Sequence, residues 1–358
     1  MSGPGLEVTA KAQLGQTELD VSVRVEAGRC LALAGPSGAG KTSVLRAVAG
    51  LLRPHEGVVR CGDEVWLDTA TGVSRAPDRR RVGYLFQNYA LFPHLRGWQN
   101  VAYPLRGQKR KERRAHAVEL LERFGVGHLS DVRPGTYSGG ESQRVALART
   151  LARDPMVLLL DEPLSALDAR TRASAGRTLK TTLGESDVPT LVVTHDFNEA
   201  ALLGDEIAVI DHGHILQHGT ASALAAAPAS TFVADFTGAV VLAGIASPGP
   251  DGLTAVDIGD GVTVLSTAQG AGDVGASVYP WEIALVPVDA PVTGSAQNRL
   301  EGRVVSSTTI ANRLRVTVDA GQPVTAEVTD PGAQAVDLAV GKPIALTWKA
   351  SATRLIER

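Results

Sequence analysis

Cysteine is scarce in this chain. Cys30 and Cys61 are its only two in 358 residues, and no metal-ligand spacing links them. That usage fits a reducing, cytoplasmic compartment. Long apolar runs are missing too. No stretch approaches 18 uninterrupted apolar residues, so nothing is expected to span a membrane, and any membrane role must go through a partner. Met1 to Gly5 lacks a charged-then-apolar pattern, so no secretory leader is expected. An excess of positive charge is also absent. The 35 Lys and Arg meet 38 Asp and Glu, a formal net charge of −3, which disfavours nucleic acid as a partner. What remains is ordinary globular composition, 44% hydrophobic and 20% charged, in a chain long enough for two domains or more.

The most informative stretch is Gly35-Pro36-Ser37-Gly38-Ala39-Gly40-Lys41-Thr42, which fits the phosphate-loop template G-x-x-x-x-G-K-[ST] without a mismatch. The apolar run Cys30 to Ala34 ahead of it reads as a buried strand. Ser43 to Gly50 behind it is apolar at helical spacing and stopped by glycine. A glycine turn could match by chance, but strand, glycine loop and helix are together the context the motif needs. Gly35, Gly38 and Gly40 let successive N–H groups point into one concavity, and a helix N-terminus adds partial positive charge. Lys41 can then reach the β- and γ-phosphates of ATP, and the Thr42 hydroxyl can ligate Mg²⁺.

Leu19 to Val25 alternates and reads as an edge-type strand with one wet face; Val58 to Leu67 and Arg79 to Gln87 read as further strands. Residues 88 to 135 read as helices with a basic run from Lys109 to Arg114, either a solvated helix face or a contact with a membrane surface or partner. Tyr137-Ser138-Gly139-Gly140-Glu141 opens a helix running to about Arg153. Ser138 and Glu141 alone would be no more than a capping box. Met156 to Leu160 is a continuous apolar run, as in a central parallel strand, and it delivers Asp161-Glu162 to a carboxyl end, where open α/β sheets bind ligands. Leu191 to Asp196 repeats the pattern with His195 at a strand end, and Ile207 to Gln217 reads as a final hairpin. From about residue 238 helical patterns vanish, and short strands punctuated by Gly, Pro and Asp suggest a small β-barrel entered through Ala239 to Ala243.

Taken in order, the phosphate loop, Gln87, Ser138-Gly139-Gly140-Glu141, Asp161-Glu162, Ser165-Ala166-Leu167-Asp168 and His195 resemble the ATP-binding subunits of ABC transporters over residues 6 to about 237. The resemblance implies an α/β P-loop NTPase cassette at 1–237, with a helical subdomain at about 88–153, and an all-β, barrel-like regulatory domain at 238–358. It implies roles as well. Gln87 touches Mg²⁺ or the attacking water, Asp161 is the Mg²⁺ partner with Thr42, Glu162 is the general base, and His195 contacts the γ-phosphate. Ser138, Gly139 and Gly140 cap the nucleotide bound by the other subunit of a homodimer, and Asp168 lies at the seam. Ser43 closes the nucleotide-binding loop. Two departures stand out. The signature begins with Tyr137 and ends with Glu141, where the common form has Leu and Gln. Leu14 stands near the place of the aromatic residue that usually stacks on adenine.

Residues 239 to 358 resemble the TOBE-type regulatory domain of importer subunits. Gly294 to Gly302 and Lys349-Ala350-Ser351 are similar to the molybdate-binding module, with Gln297 in place of its arginine. Ser295, Lys349 and Ser351 could converge on an oxyanion or serve as turn chemistry and a surface lysine. The whole pattern is most similar to the molybdate-importer type. Sulfate, ferric-iron, sugar and polyamine importers share the architecture. The implied setting is the cytoplasmic face of a membrane, with separate permease subunits as partners and, indirectly, an external solute-binding protein. A soluble ABC ATPase and an oxyanion-binding regulator are the rival readings.

Overall fold

The computed structural model describes residues 5–105, 107–259, 261–291, 295–310 and 313–358. The chain divides into two compact units, Met1–Ala221 and Ser222–Arg358.

The first unit runs β1 (Leu6–Leu14), β2 (Thr17–Val25), β3 (Cys30–Ala34), α1 (Lys41–Ala49), β4 (Glu56–Cys61), β5 (Glu64–Asp68), β6 (Val73–Ser74) and β7 (Val82–Leu85). It continues through α2 (Gly97–Val101), α3 (Arg110–Arg123), α4 (Gly139–Leu151), β8 (Val157–Asp161), α5 (Ala169–Gly184), β9 (Thr190–Thr194), α6 (Phe197–Leu203), β10 (Glu206–Asp211) and β11 (His214–Gly219). All eleven strands join one sheet in the order β6-β5-β4-β1-β2-β11-β10-β3-β9-β8-β7. The neighbours β10, β3, β9, β8 and β7 pair in parallel, whereas β6-β5-β4-β1-β2 pair antiparallel. Composition follows this division. β3, β8 and β9 are buried at every position, because helices cover both faces of a parallel sheet. β1 and β2 alternate buried and exposed, as one-sided strands do.

Four expectations need correction. β2 has the wet face its alternation predicts, but it is not an edge: it lies between β1 and β11. Val58 to Leu67 is a hairpin, β4 and β5, turning at Gly62 with φ 59°. The strand ending at Gln87 begins only at Val82, after a 3₁₀ turn at Pro77–Arg79. Proline and the buried Arg80 explain the late start: the guanidinium donates to the carbonyls of Ala47 and Val48, at 2.9 and 2.6 Å, and so satisfies the last turn of α1. Residues 88 to 135 hold α2, α3 and two 3₁₀ turns, joined by more loop than periodicity suggests. With α4 they enclose a core that includes Trp98, Val101, Leu121, Val145 and Ala148.

The second unit carries α7 (Ala221–Ala226), which begins one residue before it, then α8 (Thr231–Phe236), β12 (Val240–Pro248), β13 (Thr254–Asp257), β14 (Thr263–Ser266), β15 (Gly272–Val278) and β16 (Ala284–Val286). After these come β17 (Asn298–Ile310), β18 (Arg313–Asp319), β19 (Pro323–Thr329), α9 (Asp330–Ala335), β20 (Pro343–Trp348) and β21 (Arg354–Glu357). Two five-stranded antiparallel sheets, β14-β13-β12-β15-β21 and β16-β20-β17-β18-β19, share one core that includes Leu242, Val274, Leu300, Val316 and Trp348. Two side-chain amides tie the sheets together. Gln322 exchanges hydrogen bonds with the backbone of Ala243 at 3.0 and 2.8 Å, and Asn298 does so with Leu265 at 2.6 and 2.9 Å.

Candidate functional site

Parallel strands in the order β3-β9-β8-β7 deliver their carboxyl ends to one edge of the sheet. The residues that follow those ends are the phosphate loop after β3, His195 after β9, Asp161-Glu162 at β8 and Gln87 after β7. Motifs more than a hundred residues apart in sequence therefore meet because their strands are neighbours.

The loop from Gly35 to Gly40 depends on its glycines at specific places. A Cβ on Gly35 would sit 2.0 Å from the carbonyl oxygen of Ile210, so no side chain fits. Gly38 and Gly40 adopt φ of 86° and 100°, the left-handed region open to glycine. Ala39 between them is buried. Gly40 caps α1 without a side-chain hydrogen bond, and no acidic residue lies in the first turn, which leaves the positive end of the helix for an external anion. Lys41 Nζ donates to the carbonyls of Gly35 and Pro36, at 2.8 and 2.7 Å. Burial lowers its proton affinity, and the carboxylates of Glu162 and Asp161 pull it back up.

Asp161 accepts from Thr42 Oγ1 on one oxygen, at 3.0 Å, and from the Tyr84 hydroxyl on the other, at 3.2 Å. Burial raises its pKa above the ordinary aspartate value, and these hydrogen bonds oppose the rise. Glu162 has φ 45°, an uncommon conformation for a residue with a side chain, and its N–H is tied to Val193 O at 3.0 Å. That turn aims its carboxylate along the sheet edge. Gln87 Nε2 donates to Oε2 at 2.9 Å, and His195 Nδ1 stands 3.2 Å from Oε1. Thr42, Asp161 and Gln87 offer oxygen donors of the hard kind that Mg²⁺ takes.

Ser138, Gly139 and Gly140 open α4. Ser138 forms the reciprocal capping box with Glu141, and Gly139 packs where a Cβ would meet Leu167 at 2.9 Å. Asp168 accepts from the N–H of Thr171 at 3.0 Å at the start of α5. Ser37 and Gly38 lie exposed at the loop tip, while Pro36 and Ser43 are half-buried. Leu14 is half-buried beside the loop, 3.7 Å from where a Cβ on Gly40 would lie.

Sequence reasoning missed several supporting residues. Tyr84 belongs to no motif, yet it holds the second oxygen of Asp161. Glu199, 8% exposed, accepts from Thr194 Oγ1 at 2.8 Å and Leu164 N at 3.3 Å, and so braces the backbone next to both His195 and Glu162. Tyr89 and Gln143 both donate to Pro163 O, directly after Glu162. Burial and hydrogen-bond partners, the signals that mark these residues, are not sequence patterns. The aromatic segment after Gln87 also divides: Tyr89 and Trp98 are core, and Leu91, Phe92 and Leu95 are half-buried. Phe86 and Tyr103 are 41% and 45% exposed and flank a groove of about 360 Å³ with Phe92 and Arg149.

In the second unit Ser295, Lys349 and Ser351 are all exposed. The segments that carry them are adjacent, because Ala350 N donates to Gln297 Oε1 at 3.0 Å. Gly294 lies outside the described residues.

Comparison with known proteins bears on the family and the fold. The family model for ABC transporters matches residues 19–165, and that for the TOBE domain matches 294–355. A molybdate/tungstate import ATP-binding protein from Archaeoglobus fulgidus is 45% identical over 60% of this chain and 86% of its own length. A molybdenum import ATP-binding protein from Mycobacterium tuberculosis is 40% identical over 68% of this chain and 67% of its own. A sulfate/thiosulfate import ATP-binding protein from Agrobacterium fabrum is 39% identical over 86% and 89%. Among solved structures, a bacterial ABC transporter cassette determined as a dimer aligns at a TM-score of 0.51 and 31% identity, over 60% of this chain and 98% of that one. The chain belongs to the ABC transporter family, as an ATP-binding and ATP-hydrolysing cassette subunit that carries a C-terminal TOBE domain.

Proposed function

We propose that this subunit works as a homodimer on the cytoplasmic face of a membrane and powers import of an oxyanion, molybdate or tungstate, through separate permease subunits served by an external solute-binding protein. The observation that carries the catalytic part is Glu162, held between Gln87 and His195 at the edge where the phosphate loop opens. In this reading the loop N–H groups from Gly35 to Ser43 hold the phosphates of ATP, and Lys41 exchanges two backbone carbonyls for the β- and γ-phosphates. Thr42, Asp161 and Gln87 would hold Mg²⁺, which supplies charge neutralisation on the phosphates when bound. Glu162 takes the proton of the attacking water, and His195 meets the γ-phosphate. Ser138, Gly139 and Gly140 close over the nucleotide of the partner subunit, with Asp168 at the seam. Hydrolysis is then tied to dimer closure, and the groove between Phe86 and Tyr103 receives a permease helix.

The solute is inferred from likeness. Molybdate/tungstate and molybdenum importers stand among the relatives at 40–45% identity. A specific observation also favours sulfate: the sulfate/thiosulfate relative is alike over 86% of this chain, cassette and tail together. Uptake into vesicles carrying the whole complex tests both. ATP-dependent accumulation of labelled molybdate, competed by tungstate and not by sulfate, is the expected result. Sulfate uptake indifferent to molybdate would transfer the assignment to sulfate. For the tail, the Gln297–Ala350 hydrogen bond supports turn chemistry around Ser295, Lys349 and Ser351 rather than an oxyanion site. Calorimetry of the full chain with millimolar molybdate should then show no saturable heat of binding; a saturable heat lost in Lys349→Ala would reverse that reading.

A further inference from the structure

Three side chains form a closed set at the start of α4. Ser138 Oγ and Ser138 N both donate to Glu141 Oε2, each at 2.8 Å, and Glu141 N donates back to Ser138 Oγ at 3.3 Å. The other carboxylate oxygen, Oε1, stands 3.0 Å from Nε2 of His128, which reaches across from the 3₁₀ turn at Gly127–Leu129. The Glu141 carboxyl is held down at about 2, first by the Ser138 backbone, then by its hydroxyl, then by His128, so Glu141 is an anion at neutral pH.

A capping box needs two bonds: the carboxylate on the Ser138 N–H, and the Ser138 oxygen under the Glu141 N–H. Here the carboxylate takes a third, the hydroxyl's proton. A serine hydroxyl has one proton and serves one acceptor with it at a time. A phosphate oxygen arriving at Ser138 needs that same proton, and it also meets the negative charge of Glu141. Whatever weakens the carboxylate's hold frees the donor. A donor on the far oxygen does this by drawing charge away from Oε2.

We propose that Glu141 and His128 are positioning residues for Ser138: the carboxylate withholds the serine's proton in the separate subunit, and His128 loosens that hold so that the hydroxyl can turn to the γ-phosphate carried by the partner. The inference rests on the reading of Ser138 as the cap on the partner's nucleotide. It separates the pair from ordinary capping, which would affect helix stability and not the response to ATP.

The test is dimer formation by the full-length chain, followed by light scattering while a non-hydrolysable ATP analogue is titrated with Mg²⁺. Binding of a fluorescent analogue to dilute, separate subunits reads the phosphate loop on its own. Glu141→Gln keeps the size and an acceptor for the Ser138 N–H while removing the charge. It should lower the analogue concentration at half-maximal dimerisation by about 3- to 10-fold, the scale of replacing a charge-assisted hydrogen bond with a neutral one. His128→Ala should raise it by a similar factor. The double variant should behave like Glu141→Gln alone, because His128 acts through the carboxylate. Binding to separate subunits should not change, and the thermal midpoint of Glu141→Gln should stay near that of the parent. A His128→Ala shift that persists in the Glu141→Gln background would overturn the pairing. Unchanged dimerisation in both single variants, with dimerisation lost in Ser138→Ala, would overturn this inference and leave the composite site standing. Unchanged dimerisation in Ser138→Ala would remove the composite-site reading and this inference with it.

Discussion

Replacing Glu162 by Gln separates catalysis from architecture. The carboxylate faces Gln87 Nε2 at 2.9 Å and His195 Nδ1 at 3.2 Å. The amide keeps one acceptor oxygen for Gln87 and turns an NH₂ toward His195, whose Nδ1 can accept only in the tautomer with its proton on Nε2, so at most one of the two contacts is lost. That costs about 0.5–1.5 kcal/mol net, a small part of a typical stability of about 5–15 kcal/mol. Backbone strain at φ 45° is the same for both residues, because neither is glycine. Lys41, Thr42 and Asp161 are untouched, so Mg-ATP should bind and draw two subunits together. The proposed base, however, is gone. Loss of a general base lowers turnover by about 10²- to 10⁴-fold, roughly 2.7–5.4 kcal/mol on the barrier at 1.36 kcal/mol per decade. Phosphate release measures the rate. A sizing column with Mg-ATP should find a dimer that outlives that of the parent, since ATP stabilises the closed form by mass action until it is hydrolysed. Parent-like turnover in the purified, folded variant would refute the role of Glu162.

Other perturbations test the rest of the site. Lys41→Ala should abolish tight ATP binding in calorimetry while circular dichroism reports an intact fold, since only two contacts to loop carbonyls are lost; near-normal hydrolysis would sink the phosphate-loop assignment. Burial raises the Glu199 pKa above the ordinary glutamate value, so ionising it weighs against the folded state at neutral pH, and that penalty fades as pH falls through the raised value. Glu199→Gln should therefore melt higher at pH 7, by about 2–4 °C for each 1 kcal/mol relieved, with the gain shrinking toward acid; a gain that does not depend on pH would contradict the reasoning. Phe86→Glu at the exposed groove should spare basal hydrolysis and uncouple transport in vesicles, and normal transport would move the permease contact elsewhere. Burial pushes the thiols of Cys30 and Cys61 up to about 12, so both should resist thiol reagents at pH 8 until denaturant is added, and prompt labelling of the native chain would contradict that burial.

Legibility in the sequence followed the range of the interaction. The strands that deliver the site, Cys30–Ala34, Val157–Asp161 and Thr190–Thr194, are continuous apolar runs, and burial on both faces follows from the run itself. The phosphate loop is legible for a related reason: its requirement for glycine is local, in φ at Gly38 and Gly40 and in the closeness of Ile210 O at Gly35. β2 was harder because alternation reports the exposure of a face and says nothing of which strand lies alongside. Its neighbour β11 is almost two hundred residues away, at His214↔Asp20. The start of β7 was obscured in the same way, since Arg80 turns inward to cap a helix that ended thirty residues earlier in the chain.

The same rule divides the site. Gln87, Glu162 and His195 could be picked out because each follows a recognisable strand end, while Tyr84, Glu199, Gln143 and Tyr89 could not, because each acts on a group distant in sequence. These bracing residues nevertheless fix what the motif residues can do. Pro163 O is held by Tyr89 and Gln143, and Leu164 N by Glu199, so the two peptides after Glu162 are anchored from both the helical subdomain and α6. A left-handed turn at Glu162 carries backbone strain of order 1–3 kcal/mol, and it persists only where its surroundings over-determine it. Those three hydrogen bonds, with Glu162 N on Val193 O, are that over-determination. The Glu162 carboxylate is thus aimed by residues that carry no motif, through the backbone on either side of it.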